Sequence, residues 1–179
     1  FKEGIITVAP VNTVTLTSAG STAAQSICLG SAITNITYAT VGTSSVTVSG
    51  LPSGVSYTWI ADVVKISGTP DNEVGSPFSY TVTSTGPCGS VSKSGTITVN
   101  PVLPVNVTIA VDANPVCAGT TVTFTASPTN EGLTPIYQWQ LNGVNAGSNS
   151  PTYSSNTFVN NDKVKVILAS SEVCKSGSP

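Results

Sequence analysis

Histidine, arginine and methionine are absent from these 179 residues, and charged side chains of either sign make up only 8% of them. Each shortage closes off a class of function. Without histidine there is no histidine-based triad and no imidazole acid–base pair. Six lysines against eight acidic residues leave a net charge of −2, far from the basic balance that binding a phosphate backbone requires, so no nucleic acid is expected as a partner. Hydrophobic residues reach 39% but are spread through short Val- and Thr-rich runs. None approaches the roughly 18 apolar residues of a membrane-spanning helix, so no membrane span is expected in this segment. No segment carries the 3.6-residue period of an amphipathic helix.

What remains is the chemistry of strands. Val105, Val107, Ile109 and Val111 alternate with Asn106, Thr108, Ala110 and Asp112, the period-two pattern of a strand with one buried face. Val122, Phe124 and Ala126 repeat it, as do Tyr80 with Val82, Ile97 with Val99, and Val164 with Val166 and Leu168. Gly, Pro, Asn and Asp clusters separate the runs, and Asn142-Gly143 after "YQWQL" is a strong signal for a two-residue hairpin. Abundant Thr and Ser, scarce Lys and Glu, and four widely spaced cysteines suit an exported protein, so an extracellular or cell-surface location is expected.

The plan is written twice. Gly4-Ile5-Ile6-Thr7-Val8-Ala9-Pro10-Val11 matches Gly95-Thr96-Ile97-Thr98-Val99-Asn100-Pro101-Val102 at an offset of 91. "CLGSAITNITYAT" from Cys28 parallels "CAGTTVTFTAS" from Cys117 at an offset of 89. Units of about 90 residues with short strands at this spacing fit an immunoglobulin-like sandwich. The expected organisation is therefore all-β with tandem modules. Residues 1–10 read as the last strand of a preceding module plus a linker, 11–100 as a first sandwich, and 101–179 as a second lacking its final strand.

Each module carries two cysteines, Cys28 with Cys88 and Cys117 with Cys174, at spacings of 60 and 57 residues. Pairing within modules is the leading expectation, each bond being worth about 4 kcal/mol in the chain-entropy model. An odd number of intervening strands would instead place the two at opposite ends, far beyond the ~5.5 Å Cα separation of a disulfide. Head-to-tail stacking would then bring Cys28 to Cys174 and leave Cys88 and Cys117 for neighbouring modules. Both arrangements stay open at this point.

"GLPSGVSYTWIADVVKISGTPDNEVGSPFSYTVTS" (residues 50–84) resembles the Ig-like, cadherin-like repeat of bacterial surface proteins, through Gly50, Leu51, Pro52, Gly54, Ile66, Gly68, Thr69, Pro70 and Tyr80. It departs in a slightly long turn, Asp71 to Val74. The second module, from Asn114 to Cys174, is similar to the Ig-like repeats of giant Bacteroidetes surface proteins of the gliding-adhesin type. The resemblance implies a non-enzymatic extracellular array, an adhesin stalk or fibre. Its partners would be neighbouring modules of the same long chain, with surface glycans or other cells beyond them. Two other readings stand beside it: spacer modules attached to a secreted hydrolase, and a filament subunit completed by strand addition between chains.

Few residues invite a site. The glycines and prolines of 50–54 and 68–70 supply turn geometry. Trp139 is expected in the core, whereas Trp59 is a candidate exposed aromatic for binding. Asp71, Asn72 and Glu73 would be the ligands of a Ca²⁺ site, although such a cage wants six to eight oxygens; no other cofactor is expected. Asn160-Asn161-Asp162 reads as a loop. Thr-x-Thr runs such as "TVTLT" suggest an ice-binding face, but threonine is favoured on exposed strand faces in any case.

Overall fold

The computed structural model describes residues 1–177 and divides into two compact units, Phe1–Pro101 and the chain from Val102 onward. The first unit contains β1 (Thr13–Leu16), β2 (Ala24–Cys28), β3 (Ile36–Val41), β4 (Ser45–Ser49), β5 (Val55–Ile60), β6 (Val63–Gly68), β7 (Phe78–Gly86) and β8 (Gly89–Asn100). They form two four-stranded sheets, ordered β1-β3-β6-β5 and β2-β8-β7-β4. All neighbours are antiparallel except β2 and β8, which run parallel. A single turn of 3-10 helix at Gly20–Ala23 interrupts the strands where none was expected; it reverses no chain direction and only shifts it from one sheet to the other.

Alternation builds the core. Ile36, Tyr38, Val64 and Ile66 from one sheet meet Tyr80, Val82, Ile97 and Val99 from the other, all buried. The Gly/Pro motifs close the ends of this core. Pro52 and Pro70 are buried and Leu51 packs against the cluster. Gly50 and Gly54 hold φ values of 76° and 80°, and a Cβ on either would stand 2.1 Å from the carbonyl oxygen of Ser79 or Thr69. Only glycine satisfies both the left-handed backbone and the close approach.

The second unit contains β9 (Leu103–Pro104), β10 (Asn106–Val111), β11 (Val122–Thr129), β12 (Ile136–Leu141), β13 (Val144–Ala146), β14 (Thr152–Ser155), β15 (Val164–Ala169) and β16 (Lys175–Ser176). The sheets are β10-β11-β14 and β13-β12-β15, with β9 and β16 forming a short parallel pair. Trp139 is fully buried, as its place in "YQWQ" led us to expect. Its Nε1 donates to the Ser150 carbonyl at 2.9 Å, and its ring stacks on Tyr153 at 5.8 Å. Asn142 and Gly143 take φ values of 53° and 83° between β12 and β13, the left-handed pair of a type I′ hairpin.

One expectation fails. Ile109 and Val111 lie on β10 but are 41% and 38% exposed. Alternation there marks a strand without marking burial. Residues 4–9, expected as a strand, carry no secondary structure. Ile5, Ile6 and Val8 are exposed.

Candidate functional site

The cysteines define the ends of each module. Cys28 ends β2 level with Asn100, where the chain leaves the first unit, and the next residue, Leu29, donates its N–H to the Asn100 carbonyl at 2.8 Å. Cys88 occupies the β7–β8 turn at the opposite pole, its Sγ 3.7 Å from the Ala9 carbonyl oxygen. The whole of β8 separates the two cysteines, roughly 36 Å at about 3.3 Å per residue. In the second unit the Cys174 carbonyl accepts from the Leu103 N–H at 2.9 Å, where the chain enters. Cys117 lies in the β10–β11 loop, beyond the far end of β10.

Cys28 and Cys174 are disulfide-bonded, whereas Cys88 and Cys117 carry exposed free thiols. The within-module pairs Cys28–Cys88 and Cys117–Cys174 are therefore not formed, because each module holds one cysteine at each pole.

The Asp71–Glu73 turn is organised by its own backbone. Asn72 Oδ1 accepts the Val74 N–H at 2.8 Å, and the Glu73 carbonyl accepts the Ser76 N–H at 2.9 Å. Asn72 thus spends on a local turn the oxygen proposed for Ca²⁺. Among the described residues no three His, Cys, Asp or Glu side chains cluster as a metal site would need. Trp59 is half-buried on β5, packs against the first core, and donates from Nε1 to Thr40 Oγ1 at 3.2 Å. Its edge position leaves Tyr57 and Ile60 beside it exposed. Asp162, read only as a loop residue, clamps the base of the β12–β13 hairpin. Its carboxylate accepts the Val159 N–H and the Asn142 side-chain amide, each at 2.8 Å, and these bonds, the backbone one first, lower its pKa.

A second buried device escaped the sequence reading. Asn12, 3% exposed, donates from Nδ2 to the Ser84 and Gly89 carbonyls at 2.9 and 3.0 Å. It also accepts the Ser84 hydroxyl at 2.6 Å. The amide stitches the chain's point of arrival to the β7–β8 hairpin, and nothing in the spacing of a lone Asn announces this.

The outer face of β4, β7 and β8 is uniform in chemistry. Ser45, Thr47 and Ser49 stand opposite Thr85, Thr83 and Thr81, which in turn stand opposite Ser90, Ser92 and Ser94. The β7–β8 hydroxyls meet at 3.1, 2.9 and 3.0 Å. The result is an uncharged grid of hydroxyls, spaced about 4.8 Å across strands and about 6.7 Å along them. Each row was visible as Ser-x-Thr-x-Ser, Thr-x-Thr-x-Thr or Ser-x-Ser-x-Ser. The register that assembles them was not.

No protein-family model and no curated protein matches this sequence. Solved structures do match in fold. A three-domain I-band fragment of titin, I67–I69, superposes with a TM-score of 0.53 at 11% identity, covering 97% of this chain and 64% of that fragment. The tandem Ig repeats of Dlar align at 14% identity over 92% of both chains, with a TM-score of 0.40. The titin likeness is one of fold: the chain consists of tandem Ig-like β-sandwich modules.

Proposed function

We propose that this chain is a non-catalytic segment of a long extracellular repeat protein, in which Ig-like modules stand in series as an adhesive stalk. The observation that carries the reading is the polarity of the cysteines. Each module places one at the pole where the chain arrives and one at the pole where it leaves, and Cys28 and Cys174 are oxidised. That polarity supports a bond in series, Cys28 with Cys174, in which the exit cysteine of one module joins the arrival cysteine of the next. Such bonds stiffen a fibre at every junction, and the Pro-containing linker "NPVLPVN" limits bending further.

The hydroxyl grid supports the adhesive half of the proposal. Neutral Ser and Thr rows offer many weak hydrogen bonds to the hydroxyls of surface glycans, and repetition along an array turns weak contacts into avid ones. Oxidised cysteines agree with an extracellular setting, as does the resemblance of residues 50–84 to bacterial surface repeats. Non-reducing peptide mapping of the native protein tests the arrangement. A Cys28–Cys174 linked peptide is the expected product, and a Cys28–Cys88 linked peptide overturns it.

A further inference from the structure

Strand β4 lies at one edge of its sheet and, among the described residues, pairs with β7 alone. Two hydrogen bonds tell which of its backbone groups reach that edge. The Thr85 carbonyl turns towards β4, where it accepts the Ser44 N–H at 2.8 Å, and the Val46 carbonyl accepts the Tyr57 hydroxyl from β5 at 3.3 Å. Backbone groups of successive residues point to opposite sides of a strand. Ser45, Thr47 and Ser49 therefore serve the ladder with β7, while Val46 and Val48 direct their N–H and C=O groups outward. Edge strands are commonly blunted by charge, proline or a bulge. β4 has no charged residue and no proline, and its register with β7 runs unbroken from Ser45–Thr85 to Ser49–Thr81.

The strand is also a palindrome. Ser45-Val46-Thr47-Val48-Ser49 reads the same in both directions, so an antiparallel partner of the same sequence, centred on Thr47, meets serine with serine and valine with valine. The two valines pack against the first core but are only partly buried. Tyr57, which reaches this edge from β5, is 36% exposed.

We propose that two copies of this chain pair through β4, antiparallel about a two-fold axis at Thr47. Val46 of one copy and Val48 of the other exchange both main-chain hydrogen bonds, and the axis repeats the exchange. The Tyr57 hydroxyl takes one lone pair of the Val46 carbonyl and leaves the second for the incoming N–H. The joint covers the valines and Tyr57 with like surface, and no charge on the strand opposes it. The same patch serves both copies, so the contact is isologous and closes at a dimer. One strand pair buries little area, which makes the dimer reversible. It joins the Ser/Thr faces of two copies into one, yet it rests on the β4 edge and on neither the adhesive reading nor the disulfide arrangement.

Sedimentation equilibrium of the 179-residue chain tests this, with the exposed thiols of Cys88 and Cys117 alkylated beforehand so that no dimer forms through them. A concentration-dependent dimer is expected, with hydrogen-exchange protection of the Val46 and Val48 amides rising alongside it. The two Thr47 side chains stand at their closest across the axis. Thr47→Lys sets like charges against each other there and should weaken dimerisation about tenfold or more, and Thr47→Glu should do the same. Both should leave the melting temperature of the dilute chain unchanged, because Thr47 is exposed. An equal mixture of the two variants should restore the dimer, with opposite charges now meeting at the axis. A chain that stays monomeric at every concentration overturns the proposal, as does a variant that dimerises as readily as the parent. So does a mixture that fails to re-form the dimer, or protection that rises on another strand instead.

Discussion

The hydroxyls of Tyr38 and Tyr80 meet at 3.0 Å across the two sheets of the first module, inside an otherwise hydrocarbon core. Tyr80 has a second acceptor, the Ala23 carbonyl at 3.4 Å. Tyr80→Phe therefore strands the buried Tyr38 hydroxyl and should cost about 1–3 kcal/mol, whereas Tyr38→Phe leaves Tyr80 a partner and should cost about 1 kcal/mol or less. Urea titration of both variants and of the double variant checks the order, with the double variant less destabilised than the sum.

Burial, with the Tyr38 hydrogen bond behind it, pushes the Tyr80 phenol well above its ordinary pKa. A raised folded value means that this contribution is complete below the ordinary tyrosine pKa and is lost as pH rises towards the folded one. Melting temperatures followed upward from neutral pH should fall above pH ~10, and less steeply in Tyr80→Phe.

Gly54→Ala should destabilise the first module by about 2 kcal/mol or more, since it adds a left-handed alanine and a carbonyl clash together. Gly20→Ala offers the contrast. Its φ is not positive and a Cβ there meets nothing within 4 Å, so stability should be unchanged or slightly raised. Thermal denaturation of the two variants side by side separates backbone strain from loss of glycine as such.

Asp162 contributes to the acid limb of the second module's stability. Its lowered pKa means that the stabilisation is present above the ordinary carboxylate value and disappears as pH falls through the folded value. Asp162→Asn should lower stability at neutral pH and remove part of the slope in acid. Melts recorded from neutral pH down through the carboxylate range report both.

Trp139→Ala should cost about 3–5 kcal/mol, because it empties the centre of the second core. Trp59→Phe keeps the packing and gives up one indole hydrogen bond, for about 1 kcal/mol. If Trp59 also contacts a glycan, Trp59→Phe will weaken adhesion by more than its small stability change explains, as measured on glycan-coated surfaces.

The strands of both modules were legible because alternation and turn chemistry are local. β7, β15, the Asn142-Gly143 hairpin and the burial of Trp139 all follow from residues within a few positions of one another. What stayed hidden depends on distant partners. The Ser/Thr rows become one face only through the β4–β7–β8 register. Ile109 and Val111 alternate faithfully, yet both stay exposed, because alternation does not record what packs over a face. Spacing raised the geometrical objection to pairing Cys28 with Cys88, but it could not place the two at opposite poles.

The parallel pairing of β2 with β8 bears on how a module withstands tension. If the chain is pulled at Asn12 and Asn100, β2 and β8 are dragged past each other along their lengths. The register pairs from Ala24–Thr96 to Cys28–Asn100 then resist in shear, all at once, instead of parting one after another. Among the described residues of the second module, Lys175 pairs with Leu103 and Ser176 with Pro104 in the same parallel sense. Under a rising force the first module should therefore keep its shape until its β2–β8 pairs rupture together.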